Sequence, residues 1–341
     1  MKQYLLPETG TFYKANLHCH TTVSDGKLTP QELKELYQSF GFSIVAYTDH
    51  NILIPHNDLT DGSFLALNGV EIGIDGEGPV PQRKITHFGA IGLEPDQITQ
   101  PLWHRERYVL ARQKPLREQV KFDESQPDYV RTHSPECISE MMQTFRDKGF
   151  YVTYNHPDWS NESYEDYMNF HGMHAVELFN GDVTDGFGET SFRVYNDLLS
   201  RGDRLFCTGG DDNHGSRPIT DRKGYTGKAF TVIKATSLDY RTVTRALEAG
   251  SFYASQGPEI LDLYVEDGRV HIRTSPADSI SIRFDIRRAK CVFAEGEPLT
   301  EASFPLDPGF GWFRLTVTDE NGRKACTNAY FASDLGITGE G

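Results

Sequence analysis

The stretch Tyr13-Lys14-Ala15-Asn16-Leu17-His18-Cys19-His20, with Ser24-Asp25-Gly26 close behind, decides how this chain is read. Residues 13–18 have the make-up of a short strand. In extended backbone, residues two apart share a face, so His18 and His20 project together while Cys19 turns away as a core thiol. A helix follows. Thr29-Pro30 supplies an N-cap and first turn, and Glu32 completes a capping box with Thr29. Leu33, Leu36, Tyr37 and Phe40 fall at i, i+3, i+4 and i+7, which predicts a helix over 30–40.

The same alternation runs outward to about residue 250. Six more strands are predicted, over 42–48, 64–70, 85–93, 151–155, 175–179 and 205–209, with further helices over 136–148, 190–201 and 239–249. Strands and helices in alternation indicate a parallel sheet or an α/β barrel. Residues 94–135, rich in Gln, Arg, Glu and Pro, read as a partly helical insertion, either a lid or a solvated excursion. From about residue 257 the period becomes two. Leu261, Leu263 and Val265 alternate with polar residues ahead of Asp267-Gly268. Ile280, Ile282, Phe284 and Ile286 repeat the pattern, as do Phe313, Leu315 and Val317 ahead of Asn321-Gly322. The chain is therefore expected to divide into an α/β domain over 1–256 and a small antiparallel β-sandwich over 257–341.

The composition narrows the class. Of 341 residues, 38% are hydrophobic and 12% aromatic, enough for a sizeable core and against wholesale disorder. Against 49 Asp and Glu stand only 34 Lys and Arg, a formal charge of −15. That balance argues against a track for long nucleic acid, although a short oligonucleotide held locally stays compatible. No apolar run approaches the length of a membrane span, and the N-terminus lacks a secretory h-region. Cys19, Cys137, Cys207, Cys291 and Cys326 are odd in number, widely spaced and without a CxxC pair. They read as reduced thiols of a soluble cytoplasmic protein.

The chemistry lies in where histidines and carboxylates fall. His18 and His20 close the first strand, with Asp25 just beyond, and Thr48-Asp49-His50 closes the second. Gly69-Val70-Glu71 closes the third, His87 lies in the fourth, and Asn155-His156-Pro157 closes the fifth. Asp211-Asp212-Asn213-His214 follows the seventh. In a barrel the C-terminal strand ends converge on one mouth. Imidazoles and carboxylates gathered there suit borderline or hard divalent ions such as Zn, Mn or Fe. Asp49 and Asp211 adjoin ligand candidates but point the other way along the chain, where hydrogen bonding to the ligands is the expectation. His171 and His174 read as loop histidines. Arg217, Arg222, Lys223 and Lys228 form a small basic cluster, with Arg217 and Arg222 the substrate-binding candidates and Arg217 close enough to His214 to reach a bound anion. Tyr225 and Phe187-Gly188 are candidates for lining the pocket.

The ordered series HxH, SDG, TDH, VE, H, HP and DxH resembles the PHP (polymerase and histidinol phosphatase) family over roughly residues 13–257. The resemblance implies a distorted (β/α)7 barrel with two to three divalent ions at its mouth, and mostly phosphoesterase activity. By position it implies one ion on His18, His20, Glu71 and Asp212. Glu71 would bridge to a second on His87 and His156, and Asp25, His50 and His214 would hold a third. His104 and His133 are the alternatives to His87. Glu177-x-x-Asn180 and Lys324-Ala325-Cys326-Thr327-Asn328 look most like the carbaryl-hydrolase-like branch.

The expected function is a metal-dependent phosphoesterase acting on a small phosphorylated substrate. A hydroxide bridging two metals would attack phosphorus, with Glu71, Asp25 and His214 as catalytic residues. Two other readings fit the same residues: hydrolysis of a carbamate, ester or amide, and a metal-loaded binding subunit without catalysis.

Overall fold

The computed structural model describes residues 2–80, 82–182, 190–215 and 226–337. Seven strands lie side by side in chain order: β2 (Thr11–Asn16), β3 (Ile44–Tyr47), β4 (Leu65–Asp75), β5 (Ile85–Gly92), β6 (Phe150–Tyr154), β7 (Ala175–Asn180) and β8 (Phe206–Gly210). These are the seven predicted from sequence. Helix α1 (Pro30–Ser39) connects β2 to β3, and α2 (Pro135–Asp147) precedes β6. Helices Phe192–Arg201 and Tyr240–Glu248 occupy the other two predicted stretches. The capping box of α1 forms: Glu32 donates its backbone N–H to Thr29 Oγ1 at 3.2 Å, and Thr29 donates its own to Glu32 Oε2 at 2.8 Å. Leu33, Leu36 and Tyr37 are buried, whereas Phe40 lies beyond the last turn and is exposed.

The sheet is mixed where a parallel one was expected. β2–β3–β4 and β6–β7–β8 are parallel, but β5 runs antiparallel to both neighbours. The cause is the link from β4 to β5, residues 76–84, too short for the crossover that parallel pairing demands. A closed barrel ladder is not formed among the described residues. Beyond the strand ends, Cys19 and Asn213 form a parallel bridge, Asp212 N–H donates to the His18 carbonyl at 2.9 Å and His20 N–H to the Asn213 carbonyl at 3.0 Å. The first and last strands of the seven therefore meet at their C-terminal ends. Along its length β2 pairs instead with β9 (Phe230–Ala235), a strand absent from the sequence reading. Gly209 permits the close approach of β8 to β9: a Cβ there would stand 2.7 Å from the Phe230 carbonyl.

β9 pairs with β10 (Phe252–Ser255), and β10 carries the sheet into the C-terminal strands β17 (Lys324–Thr327), β16 (Trp312–Thr318), β13 (Ser279–Phe284) and β14 (Ala289–Phe293). A second sheet joins β11 (Ile260–Glu266), β12 (Arg269–Ala277) and β15 (Leu299–Pro305) to β1 (Gln3–Tyr4) at the start of the chain. All these pairs are antiparallel, and the Asp267-Gly268 hairpin takes positive φ at both residues (49° and 70°). Ile260, Leu263, Val270, Ile272 and Phe304 of one sheet pack with Ile280, Ile282, Phe313, Leu315 and Val317 of the other. Because β1 pairs with β11, this C-terminal region is built partly from the N-terminus.

The insertion is not a solvated excursion. Trp103 and Val120 bury themselves against Ile52, with Val23, Leu116 and Phe122 around them. Its one helical element is the 3-10 segment Ala111–Gln119. Among the described residues no helix is long and apolar enough to cross a membrane.

Candidate metal centre

Elements from across the mixed sheet deliver imidazoles and carboxylates to one mouth. His18 and His20 lie just past β2, His50 just past β3, His156 just past β6, and Asp212 and His214 just past β8. Glu71 sits within β4, which continues to Asp75 rather than ending at Glu71. His87 stands near the start of β5, yet antiparallel pairing brings it opposite Gly73, near the C-terminal end of β4. The reversed strand thus supplies the mouth from its N-terminal end. His156 and Asp212 both have positive φ (27° and 53°), a conformation that side chains rarely adopt and that is concentrated at functional sites.

Glu71 is at the middle of the cluster and fully buried. Its Oε1 lies 3.0 Å from His18 Nε2, 3.2 Å from His87 Nδ1 and 3.2 Å from His156 Nε2, and its Oε2 lies 3.0 Å from His50 Nδ1. Asp212 Oδ1 stands 3.0 Å from His20 Nε2 and 3.3 Å from His18 Nε2. Asp25 Oδ1 stands 3.6 Å from His50 Nε2 and 3.5 Å from His214 Nε2. Donor atoms within 4.8 Å of one another fall into four overlapping groups: His20, Asp25, His50 and His214; His18, His156 and Asp212; His18, His20 and Glu71; His50, Glu71 and His87. All nine expected ligands are in this set. The grouping is more shared than the expected three sites, because His20 also stands with Asp25, and His50 also with Glu71.

Hydrogen bonding leaves several of these atoms unanswered. Among the described residues, Glu71 Oε2, Asp212 Oδ1 and His87 Nδ1, which all face the cluster, are buried with no hydrogen-bond partner. Orphaned buried polar atoms are rare, and lone pairs converging in this way fit a divalent cation. Burial opposes charge on Glu71, yet the imidazoles of His87, His18 and His156 outweigh it and hold its carboxyl well below the usual range. Asp212 behaves alike, with His18 and His20 overcoming its burial. Burial also opposes charge on His50, but Glu71 and Asp25 push it up to about 9. His20, buried and flanked by His50 and His214, is pushed down to about 3.

Several residues without a ligand role hold the ligands in place. Glu177, within β7, lies 2.9 Å through Oε1 from His18 Nδ1, and its Oε2 accepts from His156 N–H at 3.1 Å. A carboxylate behind a ligand imidazole fixes its tautomer and orientation. Asn155 Nδ2 donates to Glu71 Oε1 at 2.8 Å, and the Trp159 ring packs on His87 and His156. The sequence signals were a Glu set among Ala, Val, Leu and Phe and an Asn beside a ligand. Asp49 accepts from Thr21 and Ser24, both backbone and hydroxyl, so it shapes the turn that carries Asp25. Asp211 accepts from Tyr37 Oη and from three backbone N–H groups over 227–229, and burial raises its carboxyl to about 6.

The insertion also reaches the centre. Gln113 Nε2 donates to the His50 carbonyl at 2.6 Å, and Gln100 Nε2 to the Asn51 carbonyl at 3.1 Å. Cys19 is buried and donates to the Ala46 carbonyl. His174 accepts from Val152 N–H and stacks on Tyr151, while His171 is exposed. His133 pairs with Thr86, and His104 Nδ1 accepts from Glu106 N–H, so His87 alone of the three candidates stands against Glu71. Arg217, Arg222, Lys223, Tyr225, Phe187 and Gly188 lie outside the described residues.

No family model matches the chain, and no curated protein matches it. Solved structures do. One is a two-domain protein from Bacteroides vulgatus containing a predicted PHP-like metal-dependent phosphoesterase. It is 16% identical, with 96% of this chain and 98% of that chain covered and a TM-score of 0.48. Another is an amidohydrolase from Chromobacterium violaceum with bound sulfate and no metal. It is 15% identical, with 62% of this chain and 93% of that chain covered and a TM-score of 0.34.

Proposed function

We propose that this chain is a metal-dependent phosphoesterase acting on a small phosphorylated molecule. The observation that carries the reading is Glu71. A buried carboxylate faces His18, His50, His87 and His156 at 3.0–3.2 Å with one oxygen left unbonded. Only a carboxylate readily serves two cations at once. Divalent ions bound there would acidify water and neutralise charge developing on a phosphoryl group. The chain's own work is to hold and dry that place. Glu177 and Asn155 orient His18 and Glu71, Trp159 covers His87 and His156, and the insertion pins His50. The reading extends the coordination to two to three ions of Mn, Zn or Fe on the nine residues, and gives the C-terminal sheets an accessory role without catalytic residues.

Metal-loaded protein assayed on p-nitrophenyl phosphate, bis-p-nitrophenyl phosphate and an aryl carbamate tests the proposal. Phosphate-ester turnover that vanishes on chelation supports it. Turnover of the carbamate alone would replace it with carbonyl hydrolysis, and no turnover with full metal content would leave a binding subunit.

A further inference from the structure

Arg131 is carried by the insertion, and its guanidinium lies over the Tyr108 ring at 4.4 Å. The same tyrosine accepts the Arg131 backbone N–H at 2.9 Å. Nη1 donates to Asn51 Oδ1 and, at 2.9 Å, to the Gly73 carbonyl. Nε is buried without a partner, and among the described residues no carboxylate forms an ion pair with the group. Asp75, the carboxylate that acts on it from nearby, is engaged by Arg83 at 3.3 Å. Burial pushes the guanidinium down to about 10. A cation desolvated without an anion is costly, and only neutral acceptors answer it here.

Its position gives it a use. Asn51 directly follows His50, and Gly73 faces His87 across the β4–β5 ladder. The His87 and Asn51 side chains close over that face of Gly73: a Cβ there would stand 3.1 Å from His87 Nε2 and 3.8 Å from Asn51 Nδ2. The guanidinium is therefore anchored on Asn51 and Gly73, the neighbours of two ligand histidines, with its Nη1 protons spent and no acceptor for Nε or Nη2 among the described residues.

We infer that Arg131, positioned by Asn51 and Tyr108, binds the phosphate of the substrate at the edge of the metal centre and makes phosphate monoesters its substrates. The inference rests on the phosphoesterase reading and names its substrate class. A monoester offers charged oxygens to a guanidinium, whereas a diester has lost one of them. The insertion would then supply both the pin on His50 and the anion receptor.

The test is calorimetric titration of inorganic phosphate into the manganese-loaded full chain, its metal content and melting temperature measured alongside. Arg131→Ala should weaken phosphate binding roughly ten- to a hundredfold, the loss expected for a charge-assisted hydrogen bond. Metal content should not change. Arg131→Lys should recover part of the loss, which covers the case in which the alanine variant folds poorly. With p-nitrophenyl phosphate, KM should rise more than kcat falls. Wild-type phosphate affinity in a folded, fully metallated Arg131→Lys or Arg131→Ala protein overturns the inference. Because binding is read without turnover, Arg131-dependent phosphate binding in a protein that hydrolyses no ester would sink the hydrolase reading and leave the anion site standing.

Discussion

Gln113 reaches out of the insertion and donates to the backbone carbonyl of His50 at 2.6 Å. It is buried, and its own Oε1 accepts from Leu110 N–H, so the amide is fixed at both ends. A buried hydrogen bond of this kind contributes about 1 kcal/mol, and leaving the His50 carbonyl unpaired costs more. Gln113→Ala should therefore loosen His50 and lower affinity for the ion shared with Asp25 and His214. Elemental analysis after mild dialysis should find roughly one ion fewer per chain, with the melting temperature of the chelated protein changed little. A full complement held as tightly as in the wild type would show that the insertion does not position the centre.

Glu71→Gln should abolish turnover and reduce bound metal while the far-ultraviolet circular dichroism stays that of the wild type. The amide keeps the shape of the side chain but offers one neutral acceptor in place of two charged oxygens. Retention of activity would remove Glu71 from the middle of the site.

Glu177→Gln tests the residue behind His18. The amide can still accept from one neighbour, but it no longer favours the imidazole orientation that aims Nε2 at Glu71. Metal affinity should fall about ten- to a hundredfold, as it does when such supporting carboxylates are lost elsewhere. Competition with a chromogenic chelator measures it directly.

Metal uptake should release protons. In the protein without metal, His18, His50 and His156 are all raised by facing carboxylates that outweigh burial, His50 to about 9 from an ordinary 6.5. Near neutral pH His50 holds a proton that an incoming cation must displace, so affinity should climb as pH rises towards about 9. The linkage runs the other way for the chelated fold. The pairing of His50 stabilises it fully below about pH 6.5 and is lost as pH rises through about 9. Calorimetric titration in buffers of different ionisation enthalpy reads the proton count. A count near zero at pH 7 would contradict the pairing.

Much of this was legible because the signals were local. The HxH of His18 and His20, the capping box at Thr29 and the Asp267-Gly268 turn each fit within a few residues, and each forms as the spacing dictates. What escaped the sequence was long-range. Nothing near Ile85 announces that β5 runs backwards; the short 76–84 link says so only once β4 and β5 are known to be neighbours. β9 and β10 pair with each other, but they were missed because their outer partners, β2 and β17, lie far away in the chain. Glu177 looked like a family signature and proved to be the support of His18, 159 positions upstream. Arg131 is one of several arginines in a polar insertion, and only packing shows that no carboxylate among the described residues forms an ion pair with it.

The pairing of β1 with β11 has a consequence for how the protein is made. Gln3 and Tyr4 meet Val265 and Tyr264, and Gln3 Nε2 also donates to the Asp334 carbonyl at 3.3 Å. Their partners in β11 are synthesised some 260 residues later. At translation rates of about 5–20 residues per second, β1 waits many seconds for its partner, while β2 to β8 can already assemble around the ligand histidines. In that order β1 joins its sheet after the ligand histidines have gathered, so a defect in its pairing burdens the C-terminal sheets rather than the metal centre.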